Sequence, residues 1–284
     1  MKVAITAANG HLGSEIIKAI IELVGRDKVV GLARTPSKAE HLGVEIRPGD
    51  YNDKDTIQNS LKGVDTVLLV SGMGAPEKRI TPHRNVIKAA KEAGVKKFVY
   101  TSVQGPEANT DFSPVVKSNR QTEEDIRNSG MDWVIGRNGI YIEPDLEYIE
   151  NYKNIGVIAN CAGDGKCGYT TRPELAVAYT KMLTENIHNG NTYNLNGEPI
   201  TQQKLAEYLN KTFGTKLEYK SMSVNEYREE RVAELGEFLG SVIAGIYHGI
   251  KIGAYENEND FSKAAGRDHQ SWEEYFNSVS SKYI

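Results

Sequence analysis

Short apolar runs alternate with amphipathic stretches through the first half of the chain. Small or polar residues end each run, and the runs predict six strands, at 3–5, 28–34, 44–48, 66–70, 97–101 and 132–137. The periodic stretches between them predict helices at 12–21, 38–42, 56–61, 82–93 and 117–129. Strands that alternate with helices across short connections form a parallel sheet with helices on both faces. We therefore predict a doubly wound α/β fold whose strand carboxyl ends share one ligand-binding edge.

The pattern becomes irregular after about residue 140. It still predicts helices at 174–184, at 201–213 and from Ser223 onward, with short strands at 192–195 and 217–219. Neither an internal repeat nor a low-complexity tract interrupts it. We expect residues 1–140 to form the sheet domain, with residues 170–196 returning to it. Residues 141–284 are then expected to form a smaller α+β lobe over the ligand edge.

The turn after the first strand carries the strongest chemical signal. Ala7, Gly10 and Gly13 give the spacing small-x-x-Gly-x-x-Gly, with Ala7 where the first glycine usually stands. Small residues let the backbone approach a pyrophosphate, and a helix N-terminus offers free N–H groups and positive dipole charge. The two glycines alone could be ordinary turn and packing residues, but the flanking strand and helix support the first interpretation. We predict a Rossmann-type domain that binds a dinucleotide here.

The end of the second strand indicates which dinucleotide. Folds that prefer NAD usually place an acidic residue there, where it binds the ribose 2′-OH. This chain has Arg34 instead, followed by Lys38, and no acidic residue lies between Val29 and Ser37. A guanidinium suits a 2′-phosphate because it forms paired, charged hydrogen bonds with it. NADPH is therefore the expected cofactor, the alternative being that Arg34 is a solvated strand-end residue.

Composition excludes several classes of protein. The 284 residues are 39% hydrophobic and 25% charged, with a net charge of −4, so no nucleic-acid or membrane partner is expected. The cysteines, Cys161 and Cys167, are too few for a disulfide framework, and the six histidines form no metal-binding motif. The segment 241–255 is interrupted by glycines and polar residues, and no signal-peptide pattern precedes the first strand. We expect a cytoplasmic protein without a metal site.

Longer motifs give the chain a family resemblance. They are Thr6-Ala-Ala-Asn-Gly-His-Leu-Gly13, Gly49-Asp-Tyr51, His83-Arg-Asn-Val-Ile-Lys-Ala-Ala-Lys-Glu-Ala-Gly-Val95, Tyr100-Thr-Ser102, Arg137-Asn-Gly-Ile-Tyr141, Ala162-Gly-Asp-Gly165, Thr170-Thr-Arg-Pro-Glu-Leu-Ala176 and Gly266-Arg267. With them the chain resembles the NmrA-like atypical short-chain dehydrogenases over nearly its whole length, and among these the bacterial quinone and triphenylmethane dye reductases. The resemblance implies an NADPH-binding Rossmann domain at 1–140 and a small lobe that shapes a substrate cleft.

The resemblance also implies roles for individual residues. The expected cofactor-binding residues are Thr6, Ala8, Asn9, Gly10, His11 and Leu12 at the turn, Arg34 and Lys38 at the 2′-phosphate, Asp50 and Tyr51 near adenine, and Ser71, Gly72 and Ser102 beside the nicotinamide ribose. Asn138 and Tyr141 would lie in the substrate cleft. His83 is placed at the start of a helix facing the cleft, where capping or packing is as good an interpretation as substrate contact.

The acid–base pair of the better known relatives is not found. Reductases of carbonyls and sugar-nucleotide epimerases use Tyr-x-x-x-Lys, in which the lysine lowers the tyrosine pKa. No tyrosine lies between Tyr100 and Tyr141. Ser113 precedes Lys117 at the right spacing but would replace tyrosine poorly, and the match at Tyr247 and Lys251 comes too late in the chain. The catalytic residues therefore remain unassigned.

Three functions stay open. Hydride transfer to a quinone or another flat electrophile needs positioning more than acid–base catalysis, so a reductase with a small-molecule electron acceptor is the first hypothesis. The second is a catalytically silent NADP-binding redox sensor that reports to a protein partner. The third, a nucleotide-sugar epimerase-like protein, would need the missing tyrosine. The sequence is compatible with a monomer or a homodimer.

Overall fold

The computed structural model describes residues 1–72, 74–107, 110 and 113–283. Within them the strands are β1 (Val3–Ile5), β2 (Val29–Ala33), β3 (Glu45–Pro48), β4 (Thr66–Val70), β5 (Lys97–Val103), β6 (Asp132–Asn138), β7 (Ile140–Tyr141), β8 (Val157–Asn160), β9 (Tyr169–Thr170), β10 (Asn191–Leu195) and β11 (Glu218–Ser221). The helices are α1 (His11–Val24), α2 (Lys54–Ser60), α3 (Pro76–Glu92), α4 (Pro114–Arg127), α5 (Glu143–Glu147), α6 (Ile149–Ile155), α7 (Arg172–Thr184), α8 (Gln202–Phe213), α9 (Val224–Lys251), α10 (Phe261–Ala265) and α11 (Trp272–Tyr283).

The main sheet has seven parallel strands in the order β10-β6-β5-β4-β1-β2-β3. The chain runs outward from β1 to β3 and then returns to place β4 on the other side of β1. This reversal separates the carboxyl ends of β1 and β4, and such a point is where doubly wound sheets bind ligands. The structure confirms the predicted α/β fold.

Both faces of the sheet are covered by helices. Successive side chains of a strand point to opposite faces, so Val3 and Ile5 join the core formed with α1 and α7, while Ala4 joins the core formed with α2 and α3. Double burial explains why the strands are continuous apolar runs such as 66–70. None of the helices in the described part of the chain is long and apolar enough to cross a membrane.

The second half of the chain contributes to both parts of the molecule. Helix α7 packs against α1, and β10 extends the main sheet beside β6. The pairs β7–β9 and β8–β11, together with α5, α6, α8, α9 and α11, surround a separate apolar core that includes Ile158, Leu205 and Trp272. We therefore propose the division expected from the sequence, in which the segment around 170–196 completes the sheet domain and the rest of 141–284 forms a smaller lobe.

Several boundaries differ from the prediction. Helix α3 begins at Pro76, not at Pro82, which lies inside it. Two prolines compete for the first helical turn in this stretch, and the sequence pattern favours the one nearer the apolar positions. The helix predicted at 38–42 is replaced by two 3₁₀ turns, Pro36–Lys38 and Glu40–Leu42. Strands β7, β8 and β9 are absent from the prediction because two to four residues of mixed polarity carry no periodic signal.

Candidate dinucleotide-binding site

The turn that joins β1 to α1 is too tight for a side chain at one position. Ala7 has a φ of 48°, in the left-handed region that residues other than glycine seldom occupy. Its carbonyl oxygen accepts a hydrogen bond from Gly10 N at 2.8 Å. A Cβ at position 13 would lie 2.4 Å from the same oxygen, so Gly13 is required for α1 to start this close to β1. The fully buried Ala8 joins the turn to β2 by donating its N–H to the Leu32 carbonyl at 3.0 Å.

The first turn of α1 presents backbone donors and no carboxylate. Gly10 is the N-cap, and no acidic residue follows it in that turn. Ser14 N donates to the Gly10 carbonyl at 2.9 Å, whereas the N–H groups before it have no acceptor inside the helix. Asn9 and His11 are exposed beside these groups and Leu12 is buried beneath them. The residues fit a pyrophosphate, because free N–H groups and the positive end of the helix dipole stabilise an anion.

Two cations lie where β2 ends. Arg34 follows the strand, Lys38 ends a 3₁₀ turn, and both side chains are exposed. Within the described residues, neither side chain forms a hydrogen bond or an ion pair. Burial raises the pKa of Tyr51, while its hydrogen bond with Thr6 and the positive charge of Arg34 oppose that rise. Unpaired cations at this position fit the 2′-phosphate of the predicted cofactor.

Thr6 and Tyr51 connect β1 with β4 at the point where the strand order reverses. Thr6 is fully buried, and its hydroxyl oxygen accepts a hydrogen bond from Val70 N at 2.9 Å. The Tyr51 hydroxyl lies 2.6 Å from that oxygen and 2.9 Å from the Val70 carbonyl oxygen. The neighbouring Asp50 carboxylate accepts a hydrogen bond from Asn52 N at 2.9 Å, which shapes the turn after β3. The Thr6 side chain thus supports the crevice from inside the sheet.

Ser71 lies at the carboxyl end of β4 in a network of buried polar groups. Its N–H donates to the Thr101 hydroxyl at 2.9 Å, and its own hydroxyl donates to Asn119 Oδ1 at 3.2 Å. The Tyr100 hydroxyl donates to the same Asn119 oxygen at 2.5 Å. Burial raises the pKa of Tyr100 to about 12. Asn119 therefore connects the ends of β4 and β5, beside the expected nicotinamide position.

His83 is not at the start of a helix, as the sequence suggested, but in the middle of α3. It is 1% exposed, and its Nε2 accepts a hydrogen bond from Gly72 N at 3.0 Å. Its Nδ1 lies 2.9 Å from the Thr122 hydroxyl. Burial, and then the nearby charge of Arg79, lower the pKa of His83 to about 3. This uncharged histidine supports the loop after β4, and its side chain is too buried to contact a substrate directly.

A buried group of charges lies under the ends of β5 and β6. The Ser102 hydroxyl donates to Glu123 at 2.6 Å, and Glu123 is fully buried. Arg137 binds both oxygens of that carboxylate, at 2.9 and 2.6 Å, and Arg120 adds a contact of 2.8 Å. Burial raises the pKa of Glu123, but the hydrogen bond from Arg137 and the charges of both arginines outweigh it and hold that pKa below its usual value. Ser102 is thereby held in a fixed position near the carboxyl end of β5.

Asn138 and Tyr141 lie where the sheet domain meets the smaller lobe. Asn138 is 5% exposed, and its Oδ1 accepts a hydrogen bond from the Tyr179 hydroxyl at 2.6 Å. Its amide nitrogen donates to the Tyr141 hydroxyl at 3.3 Å. The guanidinium of Arg172 lies 5.5 Å from the centre of the half-buried Tyr141 ring. Of the two residues predicted in the cleft, Tyr141 presents the more accessible surface.

The residues weighed as substitutes for the acid–base pair have other roles. Ser113 is the N-cap of α4, and its hydroxyl accepts a hydrogen bond from Val116 N at 3.4 Å. Tyr247 lies on α9 in the smaller lobe, with its ring centre 5.2 Å from that of Tyr227. Both cysteines are free and buried. In the part of the chain that the structure describes, no three histidine, cysteine or acidic side chains come together as metal ligands.

Sequence reasoning missed the polar residues that connect these elements. Asn119, Glu123 and Tyr179 occur on helices whose sequence pattern looks ordinary, and Glu123 with Arg127 has the spacing of an exposed helical ion pair. Their partners belong to strands or loops that are distant in sequence. One usable signal was Arg137, a charge at the end of an apolar strand, where a buried partner is required.

Comparisons with known proteins agree with this geometry. Residues 7–185 match the family described as NAD(P)H-binding. Quinone oxidoreductase 2 of Escherichia coli is 33% identical over 93% of this chain and 93% of its own length. The solved structure of an E. coli NADPH-dependent quinone oxidoreductase in complex with NADPH superposes with a TM-score of 0.89, at 31% identity over 98% of this chain and 99% of that one. A triphenylmethane reductase from Citrobacter superposes with a TM-score of 0.89, at 30% identity over 99% and 100% of the two chains.

The tight turn predicts opposite effects for two substitutions. Gly13→Ala forces a Cβ against the Ala7 carbonyl and is expected to cost about 1–3 kcal/mol of stability and to weaken dinucleotide binding. Ala7→Gly removes the cost of about 1–2 kcal/mol that a residue with a Cβ pays in the left-handed conformation. Glycine also makes the unfolded chain more flexible, which lowers stability by about 0.4–1 kcal/mol, so the net gain in stability is roughly 0.5 kcal/mol. Urea unfolding and calorimetric titration measure both effects. Equal losses in the two variants would contradict the geometry.

The buried charge group predicts a pH-dependent stability. Because the pKa of Glu123 is lower in the folded chain, its carboxylate stabilises the protein above the unfolded pKa and loses that effect as the pH falls. Glu123→Gln should cost about 3–5 kcal/mol at pH 7, with the deficit shrinking towards pH 3. Glu92→Gln, at an exposed pair with Lys54, serves as control and should cost less than about 1 kcal/mol. A deficit that urea unfolding finds constant between pH 3 and 7 would refute the assignment.

Proposed function

The chain belongs to the NAD(P)H-binding family of NmrA-like proteins, and from this premise we propose that it is an NADPH-dependent reductase of flat electrophiles such as quinones. The observation that carries the proposal is the turn between β1 and α1. Glycine is required at position 13 for α1 to start this close to β1, and the free N–H groups of the first helical turn fit a pyrophosphate. The unpaired Arg34 and Lys38 favour the phosphorylated cofactor. The related proteins that act on quinones and dyes support the class of acceptor.

The chain's own residues then bind and orient. The first turn of α1 holds the pyrophosphate, Arg34 and Lys38 hold the 2′-phosphate, and Asp50 and Tyr51 border the adenine. The end of β4, at Ser71 and Gly72, borders the nicotinamide ribose, with Ser102 fixed beneath it by Glu123. Tyr141, with Arg172 beside its ring, offers a flat surface to an acceptor.

Positioning supplies most of the catalysis in this scheme. When bound, NADPH supplies the hydride, and a quinone becomes a hydroquinone by accepting that hydride and one proton. The tyrosines that line this region are poor acids, because burial raises the pKa of Tyr100 to about 12 and raises those of Tyr141 and Tyr179 as well. We therefore assign the proton to solvent. An acceptor whose reduction needs no enzymic acid suits such a site.

The other two functions are less well supported. An epimerase would need a hydroxyl with a lowered pKa near the nicotinamide, and the tyrosines named above have raised ones. A silent redox sensor agrees with the network in which Ser71 and Ser102 are already bonded to Asn119 and Glu123. We keep the sensor as the alternative outcome of the assay.

A cytoplasmic location agrees with the two free cysteines.

The cofactor assignment is tested by comparing two cations at opposite ends of β2. Arg34→Ala removes a ligand of the 2′-phosphate and is expected to weaken NADPH binding by about tenfold or more while leaving NADH binding within about twofold. Lys28→Ala is the matched control, because Lys28 precedes β2 and pairs with Asp27 on the surface. Titration of protein fluorescence with each nucleotide measures the affinities. Equal weakening for NADPH and NADH would overturn the assignment.

The acceptor class is tested by turnover. Wild-type protein mixed with NADPH and a panel of benzoquinones, naphthoquinones and cationic dyes should consume NADPH, followed at the nicotinamide absorbance band. The rate should stay within about threefold between about pH 6 and 8, because no titrating side chain is assigned to the proton. Binding of NADPH without oxidation across the whole panel would instead favour the sensor. Turnover of a nucleotide sugar would favour the epimerase.

A further inference from the structure

Two buried side chains of α3 hold the loop at the end of β4. Arg79 and His83 lie one helical turn apart and are 8% and 1% exposed. His83 Nε2 accepts a hydrogen bond from Gly72 N at 3.0 Å. The Arg79 guanidinium donates two hydrogen bonds to the Gly74 carbonyl, from Nε at 3.2 Å and from Nη2 at 2.8 Å. A donor and an acceptor on one helix face therefore fix two backbone groups of the same loop.

The hydrogen bonds determine the form of His83. Because Gly72 N–H donates to Nε2, this nitrogen carries no proton, and the proton of the neutral ring is on Nδ1. Nδ1 then donates to the Thr122 hydroxyl at 2.9 Å, and that hydroxyl donates to the Ser118 carbonyl at 3.2 Å. The chain of donors runs in one direction from the loop to α4. Thr122 thus selects the ring tautomer that accepts from Gly72.

Arg79 is unusual as a buried charge. Among the described residues no carboxylate pairs with it, and the Gly74 carbonyl is its hydrogen-bond partner. A buried guanidinium without a counter-ion lowers stability. The same helix face could hold the loop by apolar packing at less cost. What the guanidinium adds is direction, because its two donors fix where a single carbonyl oxygen points.

We propose that Arg79 and His83 are positioning residues that hold Gly72 and Gly74 in the shape that receives the nicotinamide half of the dinucleotide. Gly72 follows Ser71 at the carboxyl end of β4, beside the crevice between β1 and β4. The phosphate-binding turn and Arg34 instead follow β1 and β2, and the hydrogen bonds of this pair do not extend to them. The inference rests on the proposed function, since it concerns the same cofactor site. The hydrogen bonds of the pair go to the nicotinamide side of that site, while the His83 ring also packs edge-on against Tyr51 with ring centres 6.3 Å apart.

The experiment compares two ligands that share only the adenosine phosphate half. Calorimetry measures the binding of NADP⁺ and of 2′,5′-ADP, which lacks the nicotinamide ribose. His83→Leu removes the acceptor for Gly72 N–H and should weaken NADP⁺ by about tenfold, the size of one lost hydrogen bond, while binding of 2′,5′-ADP stays within about twofold. His83→Gln offers an amide oxygen at the place of Nε2 and should restore NADP⁺ binding.

A second pair of variants keeps the test independent of folding. Thr122→Ser retains the hydroxyl that receives the Nδ1 proton and should behave as wild type. Thr122→Val removes it and should weaken NADP⁺ without affecting 2′,5′-ADP. Arg79→Met removes the two donors to the Gly74 carbonyl and should likewise weaken NADP⁺ binding without affecting 2′,5′-ADP binding. Equal weakening of both ligands, or wild-type NADP⁺ binding in His83→Leu, Thr122→Val and Arg79→Met alike, would overturn the proposal.

The two proposals fail in different ways. If wild-type protein binds NADP⁺ but none of the acceptors oxidises its NADPH, the reductase assignment fails, while the difference between the two ligands still supports the positioning pair. If turnover is normal, and His83→Leu and Arg79→Met change neither the NADP⁺ affinity nor the KM for NADPH, the positioning pair fails and the reductase assignment stands.

Discussion

The closeness of α1 to β1 is the constraint on which the rest of the site depends. A Cβ at position 13 would lie 2.4 Å from the carbonyl oxygen of Ala7, so the helix can begin directly above the strand only with glycine there. That start exposes the N–H groups of the first helical turn at the edge where β1 and β4 separate. The sheet order then brings the ends of β2 and β4 to the same crevice. Arg34 and Gly72, which follow β2 and β4, therefore lie on either side of this turn.

The proposed nicotinamide end of the crevice is built differently from the proposed phosphate end. At the phosphate end, the backbone donors of the first turn of α1 and the described cations Arg34 and Lys38 remain available to a ligand. At the other end, the hydroxyls of Ser71 and Ser102 are already bonded to Asn119 and Glu123. Groups satisfied in this way are held in fixed positions. This difference agrees with the proposed function, in which the protein positions the ligand and solvent supplies the proton.

The sequence predicts those parts of the fold that repeat a local pattern. Strands 3–5 and 66–70 are found where their apolar runs lie, because both faces of a parallel sheet are buried and leave an uninterrupted signal. The opening turn was also predictable, since small residues at fixed spacing are required sterically. The start of α3 was not, because two prolines offered alternative first turns. Nor was the Glu123 group, which depends on contacts between segments that only the folded chain brings together.

The candidate site shows why a motif locates a region better than it assigns a role. Thr6, Ser102 and His83 belong to the sequence motifs, yet all three are 3% exposed or less, and their side chains are bonded within the protein. A buried group whose hydrogen bonds are complete gains nothing from a ligand that cannot reach it. Such residues act by holding a neighbour, as His83 holds the backbone N–H of Gly72. Motif residues therefore fall into two groups, the accessible ones that a cofactor can contact and the buried ones that hold the accessible ones in place. A sequence alone does not show which residues are buried, so it cannot separate the two groups.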